Sequence, residues 1–233
     1  IAGKRLAESC GVPVAPWSGG PVESAADARA HGERIGFPLL LKAAAGGGGR
    51  GIRVVSDPRD LDAAFTAAAA EAAAAFGDAT LLVEAFVPIA RHVEVQLIAD
   101  AHGTVLALGT RDCSMQRRHQ KVIEEAPARL PPPLERRLLD SAAALCRSCG
   151  YVGAGTAEFL VPADGGEACF LEMNTRLQVE HTVTECVTDF DLVGAQIDVA
   201  RGDRLPEAPP PSRGHAIEVR LCAEDPGAGF QPS

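Results

Sequence analysis

The chain has 233 residues, and its 46% hydrophobic content is enough to build one large domain or two small ones. Its 22 Lys and Arg against 31 Asp and Glu give a formal charge of −9, and with only 4% aromatic residues this balance argues against a nucleic-acid partner. No stretch approaches the ~20 apolar residues of a membrane span, and the seven cysteines are odd in number and scattered, which argues against a disulfide framework and fits a reducing cytosol.

In chain order, the sequence opens without Met in an apparent helix. Segment 39–55 runs Leu39-Leu40-Leu41-Lys42, then Gly46-Gly47-Gly48-Gly49, then Ile52-Arg53-Val54-Val55. The lysine precedes the glycines and a β-branched strand follows them, the reverse of a Walker loop, and no amphipathic helix follows as a dinucleotide fingerprint requires. The reading is strand, glycine flap, strand: glycine N–H groups free to close over phosphate oxygens, with Lys42 as a point charge. A surface loop without ligand is the competing reading. Residues 63–76 read as an Ala-rich helix broken by Glu71 and ended by Gly77. Run 91–100 alternates with period two, sending Val93, Val95 and Leu97 to one face and His92, Glu94 and Gln96 to the other, so one face packs and the other lines a site. Run 111–127 is basic, then acidic, and in an acidic chain it suits small anions. Cys146 and Cys149 form a pair with no second pair to complete a zinc site.

The densest chemistry lies between 155 and 181. Two apolar runs, 155–161 and 168–172, flank Asp164-Gly165-Gly166 and predict a hairpin. If it is symmetric about Gly165, Glu158 stands opposite Glu172 with Cβ atoms roughly 5 Å apart. Asn174 shares the face of Glu172, and Arg176 and Gln178 follow if the strand continues. Two facing carboxylates repel unless a hard divalent cation with oxygen ligands sits between them, most simply Mg²⁺ carrying a nucleotide phosphate. A solvated charged strand is the alternative. Beyond it, the Pro-rich segment 205–212 reads as a loop.

Five strings, in order, carry a family resemblance: 42–55 with its glycines, 91–96, 111–127, 172–181, and 214–220 with Ala223-Glu224-Asp225-Pro226. The chain resembles the biotin carboxylase component of biotin-dependent carboxylases, such as an acetyl- or propionyl-CoA carboxylase alpha chain, within the ATP-grasp superfamily. The resemblance implies an α+β fold: 1–13 as the tail of an upstream α/β domain, 14–86 as a lid bearing the flap, and 87–233 as an antiparallel catalytic body, incomplete at its C-terminal end. It implies ATP, Mg²⁺ or Mn²⁺, and biotin on a carrier as cofactors, and bicarbonate as substrate. It also implies biotin carboxyl carrier and carboxyltransferase domains or subunits as partners, a homo-oligomeric parent enzyme, no membrane or nucleic-acid role, and a cytoplasmic location.

Residue by residue, the resemblance assigns Lys42, Gly48 and Gly49 to ATP phosphates, Glu84, Ala85, Phe86 and Val87 to the adenine, and His92 and His119 to further nucleotide contacts. Ala85 stands where most relatives carry Lys. Glu158, Glu172 and Asn174 match metal ligands, and Lys121, Arg176, Gln178 and the Val179 amide a bicarbonate pocket. Glu180 matches the catalytic base and Arg220 the biotin contact, so the catalytic set is Glu180, Arg176, Lys121 and Arg220. Thr182 replaces the usual Pro after His181. Another ATP-grasp ligase of the carbamoyl-phosphate-forming type, or a nucleotide-binding fragment inactive alone, are the alternatives.

Overall fold

The computed structural model describes residues 1–46, 51–117 and 120–232. Gly47, Gly48, Gly49 and Arg50 of the glycine run, and Arg118 and His119, lie outside the described residues, and with them the expectations for Gly48, Gly49 and His119.

Helix α1 (Ala2–Ser9) comes first, then α2 (Ala25–Ile35), whose start is capped by the Ser24 side chain accepting from the Asp27 N–H. Strands β1 (Leu39–Ala43), β2 (Ile52–Val55) and β3 (Leu81–Ala85) form an antiparallel sheet with β1 in the centre. Lys42 pairs with Ile52 on the far side of the glycine run, so the two strands read from the sequence on either side of it are present and antiparallel. Helix α3 (Leu61–Phe76) connects β2 to β3 and is continuous through Glu71. Glu71 sits on its solvent side, where Arg53 of β2 donates to it at 2.5 Å, and Gly77 ends the helix in the left-handed conformation that a glycine adopts without Cβ strain. Leu39, Leu41, Val83, Leu61, Ala68 and Ala72 fill the space between this sheet and its helices.

The second sheet has six strands, all antiparallel: β4 (Ala90–Ala99), β5 (Val105–Arg117), β6 (Gln120–Ala126), β7 (Gly153–Pro162), β8 (Cys169–Asn174) and β9 (Ala216–Val219), in the order β8-β7-β4-β5-β6-β9. Helix α4 (Pro132–Ser148) and α1 cover one face, where Val93, Val95 and Leu97 meet Leu138, Ala142, Leu145, Phe159 and Phe170. Helices α5 (His181–Thr188) and α6 (Leu192–Arg201) cover parts of the other. There Ile98, Leu106 and Leu108 pack beneath Leu192 and Val199, and Ala126 beneath Val183 and Val187. The period-two reading of β4 holds for the packing face, where Val93, Val95 and Leu97 enter the core; on the other face His92 lines a polar cavity, while Glu94 and Gln96 are fully buried and do not reach it. Segment 205–212 is irregular, as its prolines dictate.

Candidate active site

The hairpin of β7 and β8 places Glu158 opposite Glu172, as expected, but not through simple symmetry about the turn. Near the turn the register is Leu160 with Cys169 and Phe159 with Phe170, which continued regularly would set Leu171 against Glu158. A bulge absorbs Leu171 and restores the Glu158–Glu172 pair. The same extra residue lets Phe170 point into the apolar core while Glu172, two positions on, lines the polar cavity. Strict alternation would have put both on one face.

That cavity has a volume of about 790 Å³. Of the residues assigned from the sequence, Lys42, His92, Lys121, Glu158, Glu172, Asn174, Arg176, Gln178, Val179, Glu180 and Arg220 all line it. Glu84, Ala85, Phe86 and Val87 do not. The Glu84 carboxylate is buried and held by Lys4 at 2.9 Å and Lys42 at 3.2 Å, tying α1 to the strand that leads into the glycine run. The Ala85 and Phe86 N–H groups donate within the chain, to Pro16 and Pro38.

Lys121 organises the centre. Its ammonium donates to Glu94 at 2.5 Å, Glu180 at 2.7 Å and Glu158 at 2.8 Å, using all three of its protons. Burial alone would lower the Lys121 pKa; the carboxylates of Glu94, Glu158 and Glu180 outweigh it and raise it, so the group stays charged. Burial likewise raises the Glu158 carboxyl, but His92 Nε2 at 3.1 Å and Lys121 reverse that and hold it at about 2. The Gln116 amide nitrogen lies 3.0 Å from His92 Nδ1, the ring nitrogen other than the one near Glu158. Asn174 at 2.9 Å and Gln178 at 3.3 Å also donate to Glu158. Glu172 is shifted the other way: burial, then the charge of Glu158, raise its pKa. A pair of facing carboxyls whose affinities for protons are driven apart, with an amide oxygen beside them, suits a hard cation with oxygen ligands.

Beneath Lys121 lies a layer whose roles the sequence did not assign. Arg111 is fully buried and donates to Glu94 at 2.6 Å, Gln96 at 2.6 Å, Thr184 at 2.9 Å and Thr156 at 3.3 Å, joining β5, β4, β7 and α5. Glu94 thus spans two cations, and they hold its carboxyl ionised against the penalty of burial. The signal was present, because polar Glu94 and Gln96 alternate with valines on a strand that otherwise packs, and Arg111 follows the strand segment 105–110. Which cation reaches which carboxylate depends on cross-strand register, and that is invisible in a single strand.

Glu180 is the N-cap residue of α5, buried, with its carboxylate near the positive end of the helix. Arg220 Nη2 is 3.6 Å from it on the side opposite Lys121's hydrogen bond, at the other carboxylate oxygen. Arg176 and Val179 are exposed on the loop between β8 and α5, where Arg176 Nη1 donates to the Leu177 carbonyl at 3.1 Å, and this edge of the cavity is lined by that guanidinium together with Lys121 and Glu180. The whole arrangement can hold a polyanion at Lys42, a cation at Glu158 and Glu172, and a small anion between Lys121, Arg176 and Glu180.

Comparisons with known proteins bear on this geometry. The family profile described as "Carbamoyl-phosphate synthase L chain, ATP binding domain" matches residues 1–208. Pyruvate carboxylase of Aspergillus terreus is 47% identical over 238 residues, covering 100% of this chain, and the mitochondrial pyruvate carboxylase of Homo sapiens is 48% identical over the same span. The chain covers 20% of the length of each. Among solved structures, biotin carboxylase of Campylobacter jejuni in a β-γ-ATP complex superposes with a TM-score of 0.93 at 47% identity, covering 98% of this chain and 51% of that one. The biotin carboxylase domain dimer of the Hydrogenobacter thermophilus 2-oxoglutarate carboxylase, in complex with MgADP, ADP and bicarbonate, gives a TM-score of 0.93 at 42% identity with the same coverage.

Proposed function

Because the chain belongs to the family of the carbamoyl-phosphate synthase L chain ATP-binding domain and has the α+β ATP-grasp fold, we propose that it is the central part of a biotin carboxylase. Its reaction is the ATP- and bicarbonate-dependent carboxylation of biotin, yielding carboxybiotin, ADP and phosphate. The observation that carries this reading is one cavity wall on which Lys121 links Glu158 and Glu180, with the buried Glu94 behind it, while Arg220 reaches Glu180 from the other side. The two-sheet organisation supports residues 14–86 as a lid and 87–233 as a body, with 1–13 leaning on the body core through Ala7 and Val12.

Lys42 meets the ATP phosphates, and Gly48 and Gly49 close over them; His92 and His119 flank the nucleotide, and 84–87 border the adenine. Glu158, Glu172 and Asn174 would hold Mg²⁺ or Mn²⁺, which would supply neutralisation of phosphate charge. Lys121, Arg176, Gln178 and the Val179 amide seat bicarbonate against the γ-phosphorus. Glu180 removes the bicarbonate proton, and the resulting dianion attacks phosphorus to give carboxyphosphate and ADP. Lys121, donating to both Glu180 and Glu158, holds the base and the neighbouring carboxylate in one arrangement. Carboxyphosphate releases CO₂ and phosphate; phosphate takes the N1′ proton of biotin, and Arg220 stabilises the ureido oxygen as it gains negative charge.

Biotin carboxyl carrier and carboxyltransferase domains act next in the parent enzyme, a homo-oligomer in the cytoplasm. The test is ATP turnover by the full-length protein. Turnover requires bicarbonate, free biotin raises it, and Arg220→Ser loses the biotin response while retaining part of the bicarbonate-dependent ATPase. Stimulation by ammonia or an amino acid in place of biotin would move the chain to the carbamoyl-phosphate-forming class.

A further inference from the structure

Glu124 lies on β6 and is fully buried, and both of its carboxylate oxygens lack a hydrogen-bond partner among the described residues. A buried carboxyl in that state is costly to keep unless something else needs it. On β9 its direct cross-strand neighbour is Glu218, and the Arg220 N–H donates to the Val122 carbonyl, extending the same ladder by two residues. Arg220 is therefore the diagonal neighbour of Glu124 on one face of the β6–β9 pair, a separation that a guanidinium spans. The opposite face of β9 carries the exposed Ile217 and Val219. Val122 is the extra residue of a bulge on β6, which brings Lys121 and Glu124, three positions apart, to the same side.

Arg220 has a matching deficit: among the described residues its Nε is buried without a partner, and its one ion pair is the long one, 3.6 Å, to Glu180. The other carboxylates nearby are engaged, Glu218 by the Thr182 hydroxyl and Glu180 by Lys121. We propose that Glu124 is a positioning residue for Arg220, offering the guanidinium a second seat on the β6–β9 face so that Arg220 stays aimed at the biotin ureido group when Glu180 is occupied with bicarbonate. This rests on the function proposed above. The groups facing Glu124 are Glu218 and Arg220 from β9 and the residue after it, Glu180 from the start of α5, Glu94 from β4, and Lys121 on its own strand. Burial, then Glu218 and Glu180, raise the Glu124 pKa to about 7, so its charge, and with it the second seat, is gained as pH rises across neutrality.

The experiment uses the full-length carboxylase with free biotin as probe. In Glu124→Gln, kcat/KM for biotin falls roughly tenfold to hundredfold, the worth of one charge-assisted hydrogen bond, and falls further than the biotin-independent, bicarbonate-dependent ATP turnover. The loss is in KM, and the part of the wild-type rise in kcat/KM across neutral pH that belongs to Glu124 disappears. Glu124→Asp, which keeps the charge, restores part of both. A Gln variant with wild-type biotin saturation and pH profile overturns the proposal. So does a parallel loss of both half-reactions with lowered thermal stability that Asp does not relieve. If the wild-type enzyme itself shows no biotin response, the function proposed above fails and this role falls with it, an outcome visible before any variant is made.

Discussion

Glu180 shares its carboxylate between Lys121 at 2.7 Å and Arg220 at 3.6 Å, at the start of a helix that favours negative charge there. Replacing it with Gln keeps the shape and the capacity to bond while removing the base. ATP affinity measured by calorimetry persists in Glu180→Gln, and bicarbonate-dependent turnover falls roughly 10²–10⁴-fold, the usual range for loss of a general base. Loss of affinity and turnover together would make Glu180 structural. Glu172 behaves differently because its pKa is already raised by burial and by Glu158. Glu172→Gln relieves that repulsion, so thermal stability is unchanged or higher while Mg²⁺-dependent ATP hydrolysis falls steeply; near wild-type hydrolysis at saturating Mg²⁺ would remove Glu172 from the metal site. At this scale the sequence was informative: eleven assigned residues line one cavity. What it left unassigned were groups defined by their partners, namely Glu94 between two cations and Glu124, whose carboxylate has no hydrogen-bond partner among the described residues.

Among the elements, the turn between β4 and β5 shows how a single carboxylate can stitch segments distant in sequence. Asp100 accepts from the His102 and Thr104 N–H groups within the turn and from the Leu205 N–H beyond α6. Burial raises its pKa, but those three donors reverse the effect and hold it at about 2. A carboxyl depressed in the folded state adds stability that is present above its unfolded pKa and is lost as pH falls towards the folded value. Asp100→Asn therefore lowers the midpoint of thermal unfolding at neutral pH, and the gap to wild type closes as the pH is lowered towards about 2. A gap independent of pH would mean that shape, not charge, matters at Asp100. Element identity was legible from periodicity in β4 and from the glycines around the flap. The bulges at Leu171 and Val122 were not, since each is a property of two paired strands and neither leaves a glycine or proline as a marker.

For the molecule as a whole, two sheets with separate apolar cores leave a polar cavity of about 790 Å³ lined by both. Lys42 from the smaller sheet and Lys121 from the larger place positive charge at two ends of one space, and Glu84, gripped by Lys4 and Lys42, fixes α1 to the smaller sheet. The order of motifs along the chain predicted this convergence through family resemblance; the buried Arg111 network that keeps four elements in register emerged only from the fold. The central claim is that bicarbonate, seated by Lys121 and Arg176 and deprotonated by Glu180, attacks the γ-phosphorus of ATP before biotin is carboxylated. Full-length protein turning over ATP with ¹⁸O-labelled bicarbonate and free biotin tests this directly, by mass analysis of the phosphate and carboxybiotin formed. The account predicts one labelled oxygen transferred to phosphate for each ATP cleaved and the remaining label in the carboxyl group of carboxybiotin; phosphate carrying oxygen from water alone would contradict it.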